Sequence, residues 1–163
     1  IEVCRNFNLE ICVCNGEGFN SELSKFLNKH DPDLIVLAGY MKIIPPEIVN
    51  QYAGKIINIH PSLLPKYPGL NTYTKVLANN DVHNGATVHF VTCNLDQGPI
   101  ILQGKYTVPS ESDESSLQTL THKTEHTIYP IVVEWFAENM IKMKEDKLYF
   151  NLSLIHISEP TRL

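Results

Sequence analysis

The chain has 163 residues, 43% of them hydrophobic and 19% charged, which suits one domain with a buried core. Its formal net charge is −5, and no run of Lys and Arg is dense enough for a nucleic-acid or membrane footprint. A small-molecule substrate is therefore the expectation. No apolar run approaches the roughly 20 residues that span a bilayer, and no secretory signal opens the sequence, so a cytoplasmic location is expected. Cys4, Cys12, Cys14 and Cys93 lack the spacing of a zinc site or a disulfide framework and read as reduced thiols.

In chain order, residues 10–14 form a β-prone run, and residues 20–30 place Leu23, Phe26 and Leu27 on one helical face. Asp31-Pro32-Asp33 stops that helix. Leu34 to Ala38 is apolar throughout, as in a strand buried on both faces, and Gly39 ends it. Pro45-Pro46-Glu47 suits the first turn of a short helix. Lys55 to His60 is a second continuous strand with Asn58 and His60 at its carboxyl end. Residues two apart on a strand project the same way, so these two face one cleft.

Residues 72–79 read as a helix, 86–91 and 99–108 as strands, and 114–139 as a long helix with Leu117, Leu120, Ile128, Val132 and Phe136 inward. The alternation predicts an α/β, doubly wound, mostly parallel sheet of Rossmann-like type, with ligands beyond the carboxyl ends of the strands. The start at Ile1, in what reads as the tail of an element, suggests a fragment. Residues 152–163 resemble the translation of a sequencing adapter and are set aside, which puts the domain at 1–151.

Asn58, His60 and Asp96 form a set able to move an acyl group onto an amine without a covalent intermediate. Attack of an amine on an acyl carbon builds negative charge on oxygen and positive charge on nitrogen. Asn58 can donate to the oxyanion, His60 can stabilise it and move protons, and Asp96 can hold the imidazolium and orient a water. Gly98 lets backbone and ligand approach closely after the acidic turn.

The flanking residues carry a resemblance. Asn58-Ile59-His60-Pro61-Ser62-Leu63-Leu64-Pro65 and Leu95-Asp96-Gln97-Gly98-Pro99 resemble the motifs that hold the catalytic Asn, His and Asp of the phosphoribosylglycinamide formyltransferases, folate-dependent enzymes of purine synthesis. The resemblance runs from about Leu34 to about Met143 and extends more loosely back to Cys4. It implies 10-formyltetrahydrofolate as cosubstrate, no metal, and a monomer or weak dimer. It also implies folate contacts by Met41, Lys42, Ile43, Ile44, Val91, Thr92 and Asn94, and substrate contacts by Pro61 and Glu125. Lys42 stands where some relatives carry Arg, which keeps the charge and loses the planar fork. The family's opening strand and glycine-rich phosphate loop have no counterpart here, so the fragment itself is expected to be unstable and inactive.

Three rivals are weighed. His122-Lys123-Thr124-Glu125-His126 fits the H-x-x-E-H pattern of a zinc peptidase, but no obvious third ligand accompanies it. Formyltetrahydrofolate deformylase and methionyl-tRNA formyltransferase share the Asn, His and Asp. Lys66-Tyr67-Pro68-Gly69-Leu70-Asn71 resembles the glycinamide enzyme instead, and the acidic balance disfavours tRNA.

Overall fold

The computed structural model describes residues 6–13, 16–145, 147–150 and 153–154. Cys4, Cys14 and nearly all of the set-aside tail lie outside them. The chain divides into two compact units, Ile1–Asp33 and Leu34–Leu163.

In the first unit a 3-10 turn at Gly16–Gly18 leads into helix α1, Phe19–His30. Asp31 ends the helix in the left-handed region, its N–H donating to the Leu27 carbonyl at 2.8 Å, and Pro32 cannot continue it. Glu10 to Val13 is irregular rather than a strand. β-propensity alone does not make a strand, which exists only where a neighbour completes its ladder.

The second unit contains β1 (Ile35–Leu37), α2 (Pro46–Gln51), β2 (Ile56–His60), α3 (Thr72–Ala78), β3 (His83–Phe90), β4 (Ile100–Thr107) and α4 (Glu114–Ala137). Strands β5 (Ile141–Lys144), β6 (Lys147–Phe150) and β7 (Ser153–Leu154) follow. They form a small antiparallel sheet of their own that the sequence reading does not anticipate.

The main sheet has the order β1-β2-β3-β4. The expected α/β class holds, but "mostly parallel" does not describe these strands: β1 and β2 are parallel, whereas β2–β3 and β3–β4 are antiparallel. Connection length explains the β3–β4 pairing, and the path of the chain explains β2–β3. No helix separates β3 from β4, so the chain turns back as a hairpin. Between β2 and β3 the seven-residue α3 covers only about 10 Å, and the preceding loop is anchored at the carboxyl end of β2. The chain is thus never carried back to the amino end.

Nor is β1 buried on both faces, since Val36 is 43% exposed. Among the described residues it lies at one edge of the sheet.

Strands β3 and β4 and helix α4 make the core. Ala86, Val88, Phe90 and Leu102 pack with Ile128 and Val132, each large side chain stabilising by roughly 1.5–3 kcal/mol. The helix lies close to the sheet at Gly104, where a Cβ would come within 2.3 Å of Thr124 Cγ2. Asp113 and Ser116 cap α4 reciprocally, satisfying donors that would otherwise be orphaned. Together these elements hold β2 and β3 rigidly, and the site is built on those two strands.

Candidate active site

β2 delivers Asn58 and His60 to one face of the sheet. Antiparallel pairing sets Asn58 opposite His89 and His60 opposite Thr87, and directly opposed side chains share a face. His89 thereby joins the site: Asn58 Nδ2 lies 3.3 Å from His89 Nε2.

The partners decide the hydrogen positions. His89 Nδ1 is 2.8 Å from the Phe90 carbonyl, which can only accept, so Nδ1 carries the ring hydrogen. In the neutral ring Nε2 is then an acceptor and receives one Asn58 amide hydrogen. Burial holds the His89 pKa below the ordinary 6.5, outweighing the support that the Phe90 carbonyl and the Asp96 carboxylate give the charged form. Asp96 Oδ1 lies 3.6 Å from the same Nε2.

His60 is 5% exposed. Its Nε2 donates to the Tyr67 carbonyl at 2.8 Å, so that nitrogen is protonated. On the other side of the ring Nδ1 stands 3.3 Å from Asp96 Oδ2, positioned so that the carboxylate would receive a second ring proton. Asp96 Oδ2 also accepts the Gly69 N–H at 2.8 Å, tying the acidic loop to the proline-rich one.

Asp96 reaches this place because the connection between β3 and β4 folds back across the sheet. Gly98 permits the return: a Cβ there would sit 1.8 Å from the Phe90 carbonyl oxygen. Asp96 itself has φ 52°, a left-handed conformation that Asp tolerates better than most residues. A cleft of about 350 Å³ opens beside it, lined by Leu64, Pro65, Pro68, Gln97, Gly98 and Ile100.

The predicted trio is therefore brought together. Met41 (87% exposed) and Ile43 (78%) stand out from the loop after β1, while Ile44 is buried and Lys42 is exposed. Val91 continues β3, its N–H donating to the Ile56 carbonyl at 2.9 Å, and the Asn94 carbonyl accepts the Gln97 N–H at 3.3 Å. The Thr92 hydroxyl also donates to the Asn94 carbonyl. Pro61 directly follows His60 and is half-buried.

Glu125 lies on α4. Burial raises its pKa, partly offset by His122 and His126. Those two rings stack 6.5 Å apart, and among the described residues no group of three or more His, Cys, Asp and Glu is placed to hold a metal ion.

Sequence reasoning missed His89 as a site residue. Its signal was its position: a polar residue on a strand otherwise supplying core, two places from another polar residue, Thr87.

With this geometry in view, a family model described as formyl transferase matches residues 6–133. The chain belongs to the formyl transferase family.

Among relatives of this chain, phosphoribosylglycinamide formyltransferase of Escherichia coli (strain K12) is 45% identical over 135 residues, covering 83% of this chain and 64% of that protein. The chain thus spans less than two thirds of that relative's length. A solved phosphoribosylglycinamide formyltransferase from Coxiella burnetii matches with a TM-score of 0.88 at 34% identity, over 98% of this chain and 78% of the other. A formyltetrahydrofolate deformylase from Pseudomonas syringae reaches 0.86 at 27% identity, over 91% and 52%. The Rossmann-like formyltransferase fold expected from the motifs is the fold of these structures.

Proposed function

We propose that this protein transfers the formyl group of 10-formyltetrahydrofolate to the amine of glycinamide ribonucleotide. The observation that carries the reading is the meeting of Asn58, His60 and Asp96 at one point, with Asn58 hydrogen-bonded to His89.

Attack of the amine forms a carbon–nitrogen bond and turns the formyl oxygen into an oxyanion. Asn58 spends one amide hydrogen on His89 and keeps the second for that oxygen. His60 stabilises the same charge, and Asp96 opposes the positive charge that the ring gains. On collapse the bond to the folate nitrogen breaks, and a proton lost by the attacking nitrogen is matched by one gained at the folate nitrogen. Protons and charge balance, and no covalent enzyme intermediate is needed.

Met41, Lys42, Ile43 and Ile44 on one loop, with Val91, Thr92 and Asn94 on another, form the folate side. The exposed Met41 and Ile43 support this, because apolar side chains left in water gain by covering a flat ring. Pro61 and Glu125 form the glycinamide side. Burial penalises the Glu125 charge, and a polar substrate group recovers part of that cost. We further place the protein in the cytoplasm as a monomer or weak dimer acting on small molecules.

The test is steady-state turnover of the full-length chain with 10-formyltetrahydrofolate, with and without glycinamide ribonucleotide. Product formylated on the amine is expected. Formate released at the same rate without the amine would replace this reading with hydrolysis, the reaction named for the Pseudomonas syringae neighbour.

A further inference from the structure

His60, Thr87 and Gln103 stand in one row across three strands, His60 opposite Thr87 and Thr87 opposite Gln103. Thr87 is fully buried and Gln103 is 3% exposed. Polar side chains at such positions cost stability unless every hydrogen bond is made, and these two make theirs to the proline-rich loop.

Thr87 Oγ1 donates to the Ser62 carbonyl at 2.6 Å and accepts from the Leu64 N–H at 3.0 Å and from Gln103 Nε2 at 2.9 Å. That is the full capacity of a hydroxyl: one hydrogen and two lone pairs. Gln103 Nε2 uses its other hydrogen on the Leu64 carbonyl at 2.8 Å.

The constraint continues along the loop. Ser62, also fully buried, donates its hydroxyl to the Lys66 carbonyl at 2.6 Å. The next carbonyl, that of Tyr67, receives His60 Nε2–H. Asp81 holds the far side of the loop, accepting from Tyr67 OH at 2.8 Å and from Lys66 Nζ at 2.9 Å.

We infer that Thr87 and Gln103 are positioning residues that set the tautomer and orientation of His60 by fixing the loop whose Tyr67 carbonyl receives the Nε2 hydrogen. Neither acts on substrate. The physical reason is that a neutral imidazole has one hydrogen to place, and the position of its acceptor decides which nitrogen carries it. With the loop held, Nε2 keeps its hydrogen, and a second proton taken up by the ring lies between Nδ1 and the Asp96 carboxylate. With the loop released, the hydrogen moves to Nδ1, facing Asp96, and Nε2 presents a lone pair to the cleft.

The inference rests on His60 acting in the proposed transfer, so its test includes a readout that needs no substrate. In the full-length chain, Gln103→Met and Thr87→Val remove the donors and the hydroxyl at nearly constant volume. The imidazole ¹⁵N shifts of His60 then report the tautomer, and steady-state kinetics report the chemistry.

Both variants are expected to move the ring away from the Nε2–H form. They should also lower kcat about tenfold to a hundredfold, as for a misplaced catalytic group, with KM within about twofold. Thr87→Ser, which keeps the hydroxyl, should restore the tautomer. Val132→Ala, which loosens the core on α4, should lower stability without moving it.

Folded Gln103→Met and Thr87→Val proteins with an unchanged His60 tautomer and kcat overturn the inference. If neither folds, Ser62→Ala breaks the same relay one link nearer His60, and an unchanged tautomer there overturns it equally. A wild-type chain that transfers no formyl group, while the variants still shift the ring, overturns the functional reading and supports the positioning one.

Discussion

Gly98→Ala tests whether the close return of the acidic loop sets the place of Asp96. A Cβ at position 98 would lie 1.8 Å from the Phe90 carbonyl oxygen and 2.8 Å from its carbon, where ordinary contact starts at 3.4 Å. The carbonyl cannot yield easily, because His89 Nδ1 donates to it at 2.8 Å and the adjacent Phe90 N–H is bonded to the Pro99 carbonyl at 2.9 Å. The loop must therefore retreat by about 1.6 Å, the gap between the clashing and ordinary distances. Asp96 lies two residues upstream and moves with it, away from His60. A shift of that size corresponds to roughly a hundredfold loss in kcat/KM and to about 1–3 kcal/mol of stability. Steady-state transfer kinetics and chemical denaturation of the same protein measure both. Gly104→Ala is the comparison: its Cβ meets Thr124 Cγ2 at 2.3 Å, straining the packing of α4 on β4, so it should lower stability while the folded fraction keeps its kcat. A folded Gly98→Ala protein with wild-type kcat and KM would refute the argument.

Three further outcomes are expected. His60→Ala and Asp96→Ala should each cut kcat by about 10² or more while changing KM little, since both groups act on charge that develops in the transition state; unchanged turnover in both would remove the trio from the chemistry. Stability should fall in acid through His89, because burial lowers its folded pKa below 6.5. The unfolded ring protonates first, so the contribution is complete above 6.5 and lost as pH falls through the folded value; His89→Gln should flatten that part of a denaturation-versus-pH curve. Tyr129→Phe removes the hydroxyl that points at the Leu37 and Ile57 carbonyls at 2.7 and 3.1 Å, and should cost about 1–2 kcal/mol in a denaturant titration.

The helices and the continuous apolar strands were legible because their signals are local. α4 is announced by its periodic apolar positions, α2 by Pro46 at its first turn, and β2 by five residues whose side chains alternate. What misled the reading was pairing. Residues 10–13 have the composition of a strand and form none, and alternating elements suggested parallel strands where the β3–β4 connection permits only a hairpin. Pairing depends on where a loop leaves the chain, which composition does not record.

The candidate site divides along the same line. The two-residue period of a strand places Asn58 and His60 on one face whatever surrounds them, and the motif around Asp96 marks it as a partner, so the sequence by itself singled out the trio. Tertiary structure alone decided that His89 lies opposite Asn58, that Thr87 and Gln103 clamp the loop beyond His60, and that Asp96 returns over Gly98 to within reach of the ring. These are relations between residues 23 to 39 places apart, which have no local signature; they exist only once antiparallel register aligns β2, β3 and β4.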